Sequence, residues 1–262
     1  MILTREKTSE FANSAGHWYT KQGDPAYTTL GKTGDERPTT LRDARKHGLV
    51  PSVTTVLKAA ANEGLNRWIK SNLLVAAATL PRLEGESADD WITRVEEDAR
   101  KQGSDAANLG TQIHASLERA YSGLAYNPEH MQYVTATMLE IEKIFPLENW
   151  KSEVSFAHKL GFGGKIDLSS PKIVIDFKTS AFDEDKKDVG GYDEHLMQLA
   201  AYAKGLEIEY PYCANVYVST TVPGLVRITE YSAADIERGW EMFKNLLLYW
   251  QAKNKYSMEI LK

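Results

Sequence analysis

Gly163-Gly164-Lys165-Ile166-Asp167-Leu168 and Ile173-Val174-Ile175-Asp176-Phe177-Lys178, joined by Ser169-Ser170-Pro171-Lys172, carry the pattern that sets the fold. Both are short runs rich in Ile, Val and Phe, and the Ser-Ser-Pro-Lys segment between them is a turn signal, so together they read as a β-hairpin. Side chains alternate between faces along a strand. Ile173, Ile175 and Phe177 therefore share a buried face, and Val174, Asp176 and Lys178 share the other. On the first strand Ile166 and Leu168 point inward and Asp167 outward. Pairing Leu168 with Ile173 across a four-residue loop sets Asp167 opposite Val174 and diagonal to Asp176, with Cβ atoms roughly 7–8 Å apart. Two carboxylates aimed at one spot at that spacing can share a divalent cation. A loop of three or five residues would send Asp167 to the wrong face.

That arrangement suits one kind of chemistry. Hydrolysing a phosphodiester requires charge on the phosphate to be neutralised and hydroxide to be generated near neutral pH. A Mg²⁺ held by one or two carboxylates does both and keeps several of its waters. Lys178 reaches the same face two residues after Asp176, where it can orient the attacking water or stabilise the pentacovalent phosphate. An Asp-x-Lys triplet on a strand is common, and its neighbours are what single this one out. Glu153 lies one strand earlier, opposite in direction to Val154 and Phe156, and is a candidate to join the metal. Gly163 and Gly164 clear the space beside Asp167. Gly110-Thr111-Gln112-Ile113-His114 puts His114 on a helix, with Glu118 one turn on. Gln198 and Tyr202 share one face of a later helix.

Outward from the hairpin, residues 1–50 mix Phe11, Trp18, Tyr19 and Tyr27 with Gly, Pro and charges, and read as two short strands or an ordered arm. A helical pattern starts after Ser52, through Val53, Val56, Leu57, Leu65, Trp68 and Ile69. Residues 89–121 read as further helix with a break around 103–110, and residues 135–145 as an amphipathic helix closed by Pro146. After Trp150 the texture changes to strands: 153–157, the hairpin, then a helix over 192–205, strands over 214–221 and 225–231, and a closing helix. Ser232 with Asp235 is the N-cap signature of that last helix, which carries Ile236, Trp240, Phe243, Leu247 and Trp250 on one face. The stretch 182–191 is expected to be a mobile loop. One continuous domain is expected, with 1–150 an arm and helical part and 151–262 the sheet-bearing core, the 106–122 helix packing against it.

Composition bounds the rest. Apolar residues make up 42% and charged residues 26%, ordinary for a folded soluble protein. The longest apolar stretch, near 73–80, is too short to span a bilayer. MILTREKTSE has no apolar run of a secretory signal. A single cysteine, Cys213, excludes an intrachain disulfide and a four-thiolate cluster. A cytoplasmic setting, in a bacterium or a phage-infected host cell, is the expectation. The net charge of −5 excludes a general polyanion binder, so any nucleic acid must be met by a local basic surface. Arg37, Arg42, Arg45, Lys46 and His47 form such a run. Trp18, Tyr19 and Trp68 are candidates to stack on unpaired bases.

GFGGKIDL and IVIDFKTS together resemble the core of the PD-(D/E)xK nuclease superfamily in its RecB-like branch. Gly110–His114, Glu153 and the Gln198/Tyr202 helix occur in the order that branch shows. VPSVTTVLK, beginning at Val50, resembles a signature of the mitochondrial genome maintenance exonucleases and their phage and bacterial relatives. The resemblance covers roughly residues 50–205. It implies an α/β, restriction-endonuclease-like mixed central sheet flanked by helices, with a mainly helical N-terminal half walling a DNA channel. It further implies a DNA hydrolase using Mg²⁺ or Mn²⁺, with Asp167, Asp176, the Phe177 carbonyl and His114 at the metal. Lys178, Glu153 and Gln198 would complete the catalytic set. Tyr202, Thr179, Arg42, Arg45 and Lys46 would contact DNA. Asp167 follows Ile166 where the family motif has proline, and the second acid is Asp176 where glutamate is commoner. The chain has no cluster-binding cysteines and no ATP-binding motif, so unwinding would fall to a helicase, recombinase or single-strand-binding partner in repair or recombination. The expected activity is an exonuclease at free, single-stranded ends. Its rivals are a double-strand exonuclease of phage recombination type, built as a ring, a structure-specific endonuclease, and a non-catalytic DNA-binding protein on the same fold.

Overall fold

The computed structural model describes residues 16–60 and 63–256. Phe11 and the MILTREKTSE stretch lie outside them, as does the side chain of Leu65. The chain begins with β1 (Trp18–Tyr19), β2 (Thr28–Leu30), β3 (Glu36–Pro38), α1 (Leu41–His47), β4 (Val50–Pro51) and α2 (Val53–Leu57). Two longer helices follow, α3 (Glu63–Thr79) and α4 (Ala88–Tyr121), then a 3-10 turn at Pro128–His130 and α5 (Met131–Ile144). The second half supplies β5 (Lys151–His158), β6 (Phe162–Ser169), β7 (Ile173–Ser180), α6 (Asp193–Gly205), β8 (Tyr212–Ser219), β9 (Val226–Tyr231) and α7 (Ala233–Lys253).

The hairpin anchors a five-stranded sheet in the order β5-β6-β7-β8-β9. Only β7 and β8 run parallel, because α6 crosses between them, the connection a parallel pair requires. Helices cover both faces. On one, Ile166, Val174 and Cys213 pack with Leu196 and Leu199 of α6 and with Ile236, Phe243 and Leu247 of α7. On the other, Leu168, Ile173, Ile175, Phe177, Val216 and Val218 pack with Ile113 and Leu117 of α4 and with Val134 and Ile141 of α5. This is the mixed central sheet flanked by helices that was expected. The N-terminal elements join the first core through Trp18, Ala44, Leu49, Val53 and Val56. Among the described residues, no helix is long and apolar enough to cross a membrane.

The hairpin differs in register from the expectation. Leu168 pairs with Ile175 and Ser169 with Val174, while the Ser170 N–H donates to the Ile173 carbonyl at 3.0 Å. Only Pro171 and Lys172 remain in the turn. The slip is two residues, so by itself it moves no side chain to the other face. Carried one residue beyond the last pair, this register sets Asp167 opposite Asp176 rather than diagonal to it. Nor is there an open outer face, since Val174 is as buried as Ile175. Strands covered on both sides read as continuous apolar runs, and alternation along them says little about burial. Ile166 and Leu168 also part company, one in each core. The strand rolls over at Asp167, where the β5–β6 ladder skips a pair and Glu153 adopts a left-handed φ of 60°.

Other boundaries shift for local reasons. α4 is one helix of 34 residues with no break near Gly103 or Gly110. A glycine in a helix interior costs only roughly 0.5–1 kcal/mol against alanine, which tertiary packing overrides. The pattern after Ser52 splits into α2 and α3 rather than one helix. Arg42, Arg45, Lys46 and His47 of the basic run lie on the helix α1, capped by a Thr40/Asp43 capping box and closed by Gly48 at φ 63°, while Arg37 lies on β3. The 182–191 stretch carries no regular structure, yet Phe182 and Val189 tie it to Tyr217 in a small buried cluster. α7 begins as its sequence indicates, with Ser232 and Asp235 forming a capping box.

Candidate active site

Asp176 occupies the middle of β7 and is 2% exposed. A carboxylate that deep needs partners for both oxygens, and it has three. Gln198 Nε2 donates to Oδ1 at 2.8 Å. Asn215 Nδ2 donates to Oδ2 at 2.8 Å from the neighbouring strand. Lys178 Nζ lies 2.8 Å from the same oxygen. Lys178 also donates to Gln198 Oε1 at 2.9 Å, and Gln198 Nε2 donates to the Tyr202 hydroxyl at 2.9 Å. One glutamine amide thus holds acid and lysine in a fixed relation. It can do so because residues four apart stack on one helix face, which aligns Gln198 and Tyr202 along α6.

Asp167 enters from β6. In a regular ladder the next hydrogen-bonded pair after Leu168 and Ile175 would be Ile166 and Phe177, but here the Phe177 N–H donates instead to Asp167 Oδ2 at 2.7 Å. The carboxylate closes the gap where the two strands separate. His114 approaches from α4, its Nδ1 3.8 Å from Asp167 Oδ2, with its ring edge-on to Phe177. Burial raises the pKa of the Asp167 carboxyl, and the charge of Asp176 adds to the rise. His114, Lys178 and the Phe177 N–H work against it. Burial likewise holds the Tyr202 phenol far above its usual range, reinforced by Asp176 and Asp167, so it stays neutral. Beside the site, burial and then the Lys178 charge push His195 down to about 4, leaving a neutral ring whose Nδ1 is 2.8 Å from the Tyr217 hydroxyl.

The two acids and their neighbours border a cavity of about 390 Å³. Asp167, Asp176, Phe177, Lys178, Thr179, Gln198, Tyr202 and His114 all reach it, so most of the residues singled out from sequence converge. Ser52 and Thr54 of the VPSVTTVLK stretch form part of the wall. Gly164 leaves room, since a side chain there would press on Phe156 and Tyr202.

Glu153 does not line this cavity; its carboxylate pairs with Lys165, which does. Arg42, Arg45 and Lys46 sit on α1 outside it, with Arg45 donating to the Asn254 carbonyl. Arg37 is engaged by Asp43, at 2.7 Å. Trp18 is packed against Trp250 and Tyr256, and that burial removes it as a base-stacking platform. Tyr19 reaches the cavity wall but is buried and bonded to Tyr27 through their hydroxyls. Trp68 is 46% exposed and belongs to a separate groove between α3 and α4. Asn215 escaped sequence reasoning. Its trace was a lone amide within the otherwise apolar run Cys213-Ala214-Asn215-Val216.

The donor set can be tested against a cation. No group of three or more His, Cys, Asp or Glu side chains is arranged to hold a metal ion among the described residues, so a closed side-chain cage of the structural-zinc kind does not fit. The two carboxylates lining one cavity, Asp167 and Asp176, suit Mg²⁺ or Mn²⁺, which bind through one or two carboxylates and retain waters. The Asp167 pKa, raised first by burial and then by the charge of Asp176, is that of an acid set beside a second acid away from water.

No family profile matches the chain, and no curated protein matches it. Solved structures with similar chain traces include SSO0001, at 18% identity and a TM-score of 0.30, covering 71% of this chain and 87% of that one. Another is the alkaline exonuclease LHK-Exo from Laribacter hongkongensis, at 14% identity and a TM-score of 0.33, covering 73% of this chain and 95% of that one. Likeness at this level carries no argument about activity, which must come from the site itself.

Proposed function

We propose that the chain is a divalent-metal-dependent deoxyribonuclease that works from free ends, with single-stranded DNA as its preferred substrate. The observation that carries this reading is the closed set of Asp176, Lys178 and Gln198 facing Asp167 across one cavity. Asp167, Asp176 and the Phe177 carbonyl would hold Mg²⁺ or Mn²⁺, with His114 alongside. When bound, the cation neutralises phosphate charge and makes water a competent nucleophile near neutral pH. The chain's own groups supply position and charge. Lys178 places an ammonium where charge develops on the phosphate oxygens, and Gln198 fixes that ammonium relative to Asp176. Tyr202, neutral throughout, anchors Gln198. Thr179 extends the same strand toward the DNA backbone. A non-catalytic DNA-binding protein would have no need to retain both acids, the lysine and the glutamine in mutual contact.

The test is incubation with end-labelled single-stranded, double-stranded and closed circular DNA, in Mg²⁺, Mn²⁺ or EDTA. Metal-dependent loss of linear DNA with circles spared supports the exonuclease. Cut circles mean an endonuclease, and binding without cleavage in any metal overturns the enzymatic reading.

Two further expectations belong here. Asp167→Asn keeps an acceptor for the Phe177 N–H and removes one half-buried charge, so it should abolish cleavage while raising the metal-free melting temperature. The sign follows from the raised pKa: the ionised carboxyl costs stability above its folded pKa, and the cost disappears as pH falls and both states bind the proton. Melting in EDTA should therefore show the variant's advantage at neutral pH and its decline in acid. An equal or lower melting temperature at pH 7 would contradict it. The second concerns α1, whose exposed Arg42 and Lys46 would meet DNA phosphates beyond the cavity. Replacing both by alanine should reduce the slope of log affinity against log salt by about 1.4 on single strands. An unchanged slope removes α1 from the interface.

A further inference from the structure

We propose that Asn215 is a positioning residue for Asp176, locked in orientation by the Tyr231 hydroxyl, and that this pair sets the affinity of the site for its divalent cation. The inference rests on the nuclease reading and deepens it. Asn215 is completely buried in the centre of β8, between apolar neighbours, and Asp176 is its register partner on β7. Its Nδ2 donates to Asp176 Oδ2 at 2.8 Å and lies 3.4 Å from the Asp176 carbonyl. Its Oδ1 accepts from the Tyr231 hydroxyl at 3.0 Å. A line of hydrogen bonds therefore crosses three strands, from β9 through β8 to the carboxylate.

An amide can sit in its pocket in either of two flipped orientations. Turned the other way, Asn215 would aim its oxygen at a carboxylate, setting acceptor against acceptor. The Tyr231 proton on Oδ1 adds to the preference for the donating orientation. Asn215 is also neutral. Lys178 offsets the charge of Asp176 and so opposes any added cation, whereas the amide holds the same oxygen without bringing a positive charge. Outer partners of this kind, which orient a ligand without touching the metal, typically govern 10- to 100-fold in metal affinity or activity.

The experiment is calorimetric titration of the DNA-free protein with Mn²⁺, beside cleavage of end-labelled linear DNA across Mn²⁺ concentrations. Asn215→Leu, similar in shape and suited to an apolar strand, should weaken Mn²⁺ binding by about 10- to 100-fold. Its half-saturating Mn²⁺ in cleavage should rise in parallel, with the rate at saturating Mn²⁺ near that of the wild type. Tyr231→Phe keeps the ring and loses only the hydroxyl; it should shift both quantities about two- to tenfold the same way. That variant decides the matter should Asn215→Leu fail to fold. Wild-type affinity in the folded variants overturns the inference and leaves the nuclease reading intact. So does a lowered rate at saturating Mn²⁺ with affinity unchanged. A wild-type protein that neither binds Mn²⁺ nor cleaves DNA overturns both.

Discussion

Lys178→Ala should lower the rate of metal-dependent DNA cleavage by about 10²–10³-fold, the usual effect of deleting one preorganised group that stabilises transition-state charge. The side chain is held from two directions, by Asp176 at 2.8 Å and Gln198 at 2.9 Å, so the wild-type ammonium need not be reorganised during reaction. Deleting it also strips Asp176 of its nearest positive charge. The variant should therefore bind Mn²⁺ at least as well as the wild type while cutting far more slowly. Single-turnover cleavage at saturating Mn²⁺, with calorimetry for the metal, separates the two effects. Wild-type cleavage by Lys178→Ala would remove the lysine from the chemistry and with it the main support for the proposed activity.

The largest expected loss of stability falls at Phe162, five residues before Asp167. Its side chain is fully buried and touches Phe243 at 5.0 Å between ring centroids, His158 at 4.7 Å and Phe156 at 6.0 Å. It binds β6 to α7 at the end of the sheet that carries the site. Phe162→Ala should cost about 3–5 kcal/mol, the transfer and cavity terms together. At this chain length the melting temperature should drop by roughly 2–4 °C for each kcal/mol. Thermal unfolding by circular dichroism measures it directly. A drop of less than about 3 °C would mean that β6 and α7 collapse into the space, and that this contact does not hold the strand in place.

Much of the site was legible in sequence, because Asp167, Asp176 and Lys178 lie within twelve residues and strand alternation relates them directly. Gln198 and Tyr202 were legible as a pair for the same kind of reason, helical spacing. What connects the two groups was not, since the crossover geometry of α6 is a tertiary property. Glu153 shows the limit of reasoning by parity: one residue with a left-handed φ turns the carboxylate to Lys165. Val174 shows another, because burial on both sheet faces erases the contrast that alternation relies on. α1 went unread although Thr40, Asp43 and Gly48 spell its caps, because the basic residues on it suggested a surface rather than an element. The register error at Pro171-Lys172 was harmless only because it was even.

That last point constrains how this chain can vary. Asp167 and Asp176 line one cavity from strands joined by a two-residue turn, so the register between those strands decides whether the two acids meet. A library of insertions at Pro171-Lys172 should sort by odd and even length, with single additions inactive unless the turn absorbs them as a bulge and paired additions retaining function.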